Sequence, residues 1–241
     1  GESALEMKSG KFIFEGIKKF LSDNDFISDK WNALNILVQN ASSVGAIDLG
    51  FLNKEKNSNL DFFERLKKHE FDLLYFVGSD NLDFTKKDEF IIYHGSHGDR
   101  IAQIADIVLP SPAFTEQNGL FINLEGRLQK SVKATYPVGD SKEDWKIFNL
   151  ICKQLKNEEM FKSFYELREN TLKKVKNNSG FDLLPKTNIA SLSFESTDFI
   201  DESISMRKID YYFSNSIARS SKTMSDCRVA RYENLKSKTG S

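Results

Sequence analysis

The sequence predicts an α/β fold: a mainly parallel sheet with helices on both faces, plus a helical carboxy-terminal appendage. Three observations lead there. Residues 72–77, 89–93 and 105–110 are short apolar runs bounded by turn residues. Each run is nearly continuous rather than alternating, the pattern of a strand buried on both faces. Segments with helical spacing lie before and between the runs, which favours parallel pairing with helices packed on the sheet.

The elements follow in order. Residues 11–21 carry Phe12, Ile13, Gly16, Ile17, Phe20 and Leu21 on one stripe, with Ser9-Gly10 as the start signal. Residues 31–49 repeat Leu34, Leu37, Val38, Ala41 and Val44 at helical spacing, predicting a long second helix. The polar stretch 53–59 reads as a loop, and 61–69 as a short helix with Phe62, Phe63 and Leu66 facing inward. After the strands, Ser141 to Asp144 opens a helix with Trp145, Phe148, Ile151, Cys152 and Leu155 on its packing stripe. A charged surface helix is expected over 158–177, ended by the polar residues 177–180. An extended excursion follows to about 207, then an edge strand over 208–213, a helix over 216–232 and a disordered tail over 236–241. The expected division is an α/β domain over 1–156 and an appendage over 157–241.

Composition narrows the functional classes. The 241 residues include 34 Lys and Arg against 35 Asp and Glu, interspersed rather than blocked, which disfavours nucleic-acid binding. The longest apolar runs, such as 71–77, fall far short of a membrane span, so a soluble chain is expected. Cys152 and Cys227 stand alone, giving neither a disulfide framework nor a nest for zinc or an iron–sulfur cluster; free cytosolic thiols are expected. The opening Gly1-Glu2-Ser3-Ala4 without an initiator Met reads as a piece of a longer protein.

Two strand ends are candidates for chemistry. His94-Gly95-Ser96-His97-Gly98-Asp99 offers two imidazoles and a carboxylate, as a metallohydrolase would, but no further ligand is evident and a plain loop is the preferred reading. Gly78-Ser79-Asp80 is placed to approach a phosphate, yet no G-x-G-x-x-G or G-x-x-x-x-G-K-[ST] accompanies it, so a tight turn is preferred. No G-x-S-x-G elbow is present, and Cys152 falls on a core-facing stripe. No catalytic, cofactor-binding or metal-binding residue is assigned.

Three motifs carry a resemblance. Ala105-Asp106-Ile107-Val108-Leu109-Pro110, then Phe114 to Gly119 (F-T-E-Q-N-G), then Asn123-Leu124-Glu125-Gly126-Arg127 resemble the shared signature of molybdopterin-dependent oxidoreductases. Gly119 is expected to permit a tight turn and Gly126 a chain reversal. Pro137-Val138-Gly139 with Glu143-Asp144-Trp145-Lys146-Ile147 resembles the large iron–sulfur subunit of NADH–quinone oxidoreductase, respiratory complex I. Residues 210–227 are similar to the carboxy-terminal stretch of its mitochondrial-type form, and residues 1–5 and 42–50 also match that subunit.

The resemblance implies a part of the hydrophilic arm that carries electrons from NADH to quinone in a proton-translocating complex. It further implies a structural and assembly role, other complex I subunits as partners, and a peripheral place on the cytoplasmic side of a bacterial inner membrane, without direct insertion. No cofactor is expected in this chain, because the [4Fe–4S] and [2Fe–2S] clusters of the family lie in cysteine-rich domains outside it. In active molybdopterin enzymes the turn matching His94 to His97 often carries an acid where Gly95 stands, and the turn matching Gly78 to Leu82 often ends in proline. Both departures suggest a relic scaffold that has lost its pterin site. The alternative is a domain that keeps a pocket for a nucleotide or a molybdopterin dinucleotide.

Overall fold

The computed structural model describes residues 1–28, 31–51, 58–79, 82–98, 100–175, 179–186, 193–203 and 210–239. They group into two units that interleave along the chain. One comprises Gly1–Lys54, Asn118–Val132 and Phe161–Arg207, the other Glu55–Gln117, Lys133–Met160 and Lys208–Ser241.

The second unit holds the predicted sheet. Strands β1 (Leu73–Val77), β2 (Phe90–Gly95) and β3 (Ile107–Pro110) pair in parallel in that order. Their odd and even residues face different helices. Leu74, Phe76, Ile91 and Tyr93 pack with Leu66 of α4 (Ser58–Lys67) and Ile101 of α5 (Arg100–Ile104) into one core. On the other face, Phe148 of α6 (Asp144–Lys156) lies against Tyr75 and His94, with ring centroids 5.9 and 5.2 Å away. An α/β architecture with helices on both sheet faces is therefore present.

Carboxylates fix how the strands enter. Asp106 accepts from the Ile91 amide at 2.7 Å while its own amide donates back to the Ile91 carbonyl at 2.8 Å. The Lys86 ammonium, then that amide, hold the Asp106 carboxyl below its ordinary range. Glu89, 3% exposed, accepts from the Lys87 amide at 2.7 Å and lies 2.6 Å from His69 Nδ1. Burial opposes its charge, but the amides and the His69 ring prevail and leave its pKa lowered. A carboxyl depressed in the fold stabilises above its unfolded range, and that contribution is lost as pH falls through the folded value. Urea unfolding of Glu89→Gln at a series of acidic pH values should therefore show a flatter loss of stability than the parent. Identical slopes would remove Glu89 from the acid response.

The first unit surrounds a hairpin of β4 (Gly119–Ile122) and β5 (Leu128–Ser131). Ile122, Leu128 and Val175 form its core, packed by Val44 of α3 (Ser43–Asp48), by Leu49 at the end of that helix and by Leu172 of α7 (Phe164–Lys174). The N-L-E-G-R motif is the hairpin turn. Asn123 Oδ1 accepts from the amides of Glu125 and Arg127, and Gly126 takes φ +83° with Pro185 against it. Helix α2 (Gly10–Asp23) follows the short α1 (Glu2–Leu5), and the extended residues 193–203 run beside α2. Ser9 occupies the N-cap position without capping. Its hydroxyl donates to the Ile200 carbonyl at 2.6 Å and accepts from the Ile200 amide at 2.9 Å.

Several expectations need correction. The long helix over 31–49 reduces to Ser43–Asp48, because Asn32 Oδ1 captures the Leu34 amide, and residues 37–39 pair with Glu2 instead. The α6 helix begins at Asp144, since the Ser141 hydroxyl donates to the Val138 carbonyl, and Ile147 is buried while Leu155 is 78% exposed. The charged helix starts only at Phe164, after Asn157 ends α6 in a left-handed conformation and the Ser163 hydroxyl accepts from the Glu166 amide. Gly119 opens β4 rather than a turn. In α4 Leu66 is buried, but Phe62 and Phe63 are exposed.

At the carboxyl end the expected edge strand is a 3₁₀ turn, Tyr211–Phe213, because Asp210 Oδ1 caps the Tyr212 amide. Helices α8 (Ser216–Ser220) and α9 (Lys222–Thr239) follow, so residues 236–239 of the supposed tail are helical. Arg228 of α9 pairs with Asp210 and covers the Phe213 ring at 4.7 Å, and that guanidinium keeps the Asp210 carboxyl below its ordinary range. Residues 53–57 of the expected loop and residues 176–178 at the end of the charged helix lie outside the described residues. So do residues 187–192 and 204–207 of the excursion, 208 and 209 of the expected strand, and 240 and 241 of the tail.

Candidate functional site at the carboxyl ends of the strands

Open parallel sheets bind ligands beyond the carboxyl ends of their strands. Here that region is packed with the chain's own groups. The strand runs two residues past Tyr93, so His94 and Gly95 belong to β2 and not to a loop. His94 is wholly buried. Its Nδ1 lies 3.0 Å from the Tyr75 hydroxyl and its Nε2 3.1 Å from Asp144 Oδ1. A carboxylate only accepts, so Nε2 donates to Asp144. Asp144 Oδ2 also accepts from the Gln117 side-chain amide at 3.3 Å. Burial raises the Tyr75 pKa, and the nearby Asp144 charge adds to it.

The other face of β2 is equally filled. The Tyr93 ring runs along the strand over Gly95, and its hydroxyl donates to the His97 carbonyl at 2.7 Å. Backbone bonds carry the ladder one residue past the strands: Gly78 N donates to His94 O at 2.8 Å and Ser111 N to Gly95 O at 3.1 Å, while Lys142 N donates to Pro110 O at 3.2 Å. Gly78 does adopt a turn, with φ +64°.

The metallohydrolase constellation is not assembled. Both His94 nitrogens are engaged within the core, whereas His97 Nδ1 meets Ser96 Oγ at 2.9 Å. Among the described residues no group of three or more His, Cys, Asp or Glu is placed to hold a metal ion. Asp80 and Asp99 lie outside the described residues. Cys152 is half-buried and Cys227 exposed, both as free thiols.

The residues present do not fit the pterin that the motifs imply. A Cβ on Gly95, where an active enzyme would carry its acid, would stand 2.3 Å from the Tyr93 hydroxyl oxygen and 2.6 Å from Cζ. That space is occupied by the ring. The motif residues act as braces instead: Glu116 accepts from the Ala113 amide, Asn123 forms the hairpin turn and Asp106 staples two strands. Sequence reasoning missed Tyr75 and Asp144 as partners of His94, and Gln117 as a partner of Asp144. Only the presence of Gln117 and Asp144 inside the recognised motifs hinted at it.

Comparisons with known proteins identify the family. The family described as Molybdopterin oxidoreductase matches residues 1–154. An NADH-quinone oxidoreductase subunit of Rickettsia felis is 34% identical over 232 residues, covering 96% of this chain and 33% of that protein. The NADH-ubiquinone oxidoreductase 75 kDa subunit of Reclinomonas americana is 32% identical, over 94% of this chain and 33% of its own length. The 78 kDa mitochondrial subunit of Candida albicans is 32% identical, over 94% and 32%. The chain thus spans about a third of the length of these relatives, and the likeness drawn from its motifs holds along nearly all of it. With the signature motifs on the hairpin and the strand ends, the chain belongs to the molybdopterin oxidoreductase family.

Proposed function

We propose that the chain is part of the large iron–sulfur subunit of an NADH–quinone oxidoreductase, where it serves as a structural and assembly domain with no redox centre of its own. One observation supports this reading: at Gly95, where the resemblance would put the acid of a pterin pocket, a side chain would run into the Tyr93 ring. The relatives' names supply the complex. In this reading residues 1–156 form the family domain and 157–241 an appendage. Other subunits of the hydrophilic arm are the partners, and the iron–sulfur clusters sit elsewhere in the large subunit. Two lone cysteines fall short of the four thiolates that such clusters ordinarily take. Among the described residues no helix is long and apolar enough to cross a membrane. In this reading the chain lies peripherally at the cytoplasmic face of a bacterial inner membrane, as the resemblance implies.

Metal analysis and a UV–visible spectrum of the purified chain test the reading, with a colourless, metal-free protein expected. Stoichiometric iron, acid-labile sulfide or molybdenum would overturn it. Saturable calorimetric binding of a guanine dinucleotide or NADH below millimolar concentration would favour the cofactor-pocket alternative.

A further inference from the structure

The apolar stripe of α2 is covered only in part within its own unit, where Phe12 meets Phe199 edge-on at 5.7 Å and Phe20 meets Phe26 at 6.5 Å between ring centroids. Phe12 and Phe20 are 42% and 59% exposed and Ile17 is 45% exposed, while the residues α2 buries are Gly10 and Lys18. Phe12, Gly16 and Phe20 stand at i, i+4 and i+8, so they form one ridge with a notch at its centre. A Cβ at Gly16 would meet nothing within 4 Å, and an open groove of about 400 Å³ runs beside it, lined by Phe12 and Phe194 and by the polar Glu15, Lys19, Glu195 and Thr197. A helix-interior glycine weakens a helix relative to alanine, and nothing in the unit crowds this position enough to demand it. Beside the notch Glu15 is paired with Lys18, and Glu195 with Lys11. Lys19 has no carboxylate partner among the described residues and lines the groove.

We infer that the Phe12–Gly16–Phe20 ridge is the seat of a helix from the part of the full-length subunit lying outside this chain. That helix inserts an apolar side chain over Gly16 and sets an acid against Lys19. The occupant follows from length and charge. The relatives are about three times as long as the matched region, so most of such a protein is available to cover this face. Among the described residues at the rim, the unpaired charge is a cation. Ridge-into-groove packing brings helix axes to within about 8–10 Å, and a glycine at the crossing permits the closest approach. The inference rests on the assignment of the chain to a large iron–sulfur subunit.

The test mixes the purified chain with the remainder of the Rickettsia felis relative, expressed as a separate polypeptide without its matching third, and reads affinity by calorimetry. A one-to-one complex is expected, weakened at least tenfold by Phe20→Ser or by Gly16→Trp. Lys19→Glu should weaken it several-fold with a reduced salt dependence. Gly16→Ala should raise the Tm of the free chain, and Lys156→Ser should leave affinity unchanged. Circular dichroism confirms that each variant keeps its helix content, and Lys19→Glu, at the surface, remains decisive if the others misfold. No complex, self-association of the chain through this ridge, or a complex indifferent to Lys19 and Phe20 overturns the inference. An indifferent complex leaves the scaffold assignment standing, whereas stoichiometric metal in the free chain removes that assignment without touching the ridge.

Discussion

Gly95→Asp should unfold the sheet instead of rebuilding an acidic ligand. The new Cβ falls 2.3 Å from the Tyr93 hydroxyl oxygen, and Tyr93, 1% exposed and bonded to the His97 carbonyl, has no free space into which to turn. Overpacking alone costs about 1–3 kcal/mol. A carboxylate without a partner in the same place adds several more, giving a loss on the order of 4 kcal/mol or above. Gly95→Ala isolates the steric part, and urea denaturation should place it at about 1–3 kcal/mol. In a Tyr93→Leu background that cost should shrink, because the collision partner is gone; a double-mutant cycle without coupling would show that the ring is not the obstacle. Restoring the family's acid therefore requires removing Tyr93 first.

Ile91→Ala should be nearly as damaging, at about 2–5 kcal/mol. Ile91 has no exposure, sits in the central strand and packs with Leu74, Leu66 and Ile101, so truncation opens a void between sheet and helices that neither can easily collapse to fill. Leu155→Ala, at 78% exposure on α6, should change stability by less than about 0.5 kcal/mol. Equal effects at the two positions would mean that the central strand does not carry the core.

The contrast between Ile91 and Leu155 also shows what the sequence could convey. The strands were legible as apolar runs bounded by turn residues, but the burial on two faces expected of each holds best for β2: Leu73 and Val77 of β1 and Ile107 and Val108 of β3 are 42–56% exposed. Helical spacing was less reliable. It read 31–49 as a helix, but Asn32 and Ser28 offer the backbone local hydrogen bonds, and Glu2, far away in sequence, takes up the Gln39 amide. The site was legible only in part. His94 looked like part of a loop because a histidine after an apolar run resembles a strand end; its partners Tyr75, Asp144 and Phe148 are brought together by the sheet and by α6. The role of Gly95 was readable as a missing acid, but the ring that fills its place is apparent only in three dimensions.

The clasp between Ser9 and Ile200 sets a timetable for synthesis. The two residues are 191 positions apart, and α2 emerges long before the segment that fastens it. At roughly 5–20 residues per second a ribosome needs about ten to forty seconds to cross that gap. Throughout that interval the start of α2 lacks its clasp, and the Ser9 hydroxyl gains its two backbone partners only once residue 200 arrives.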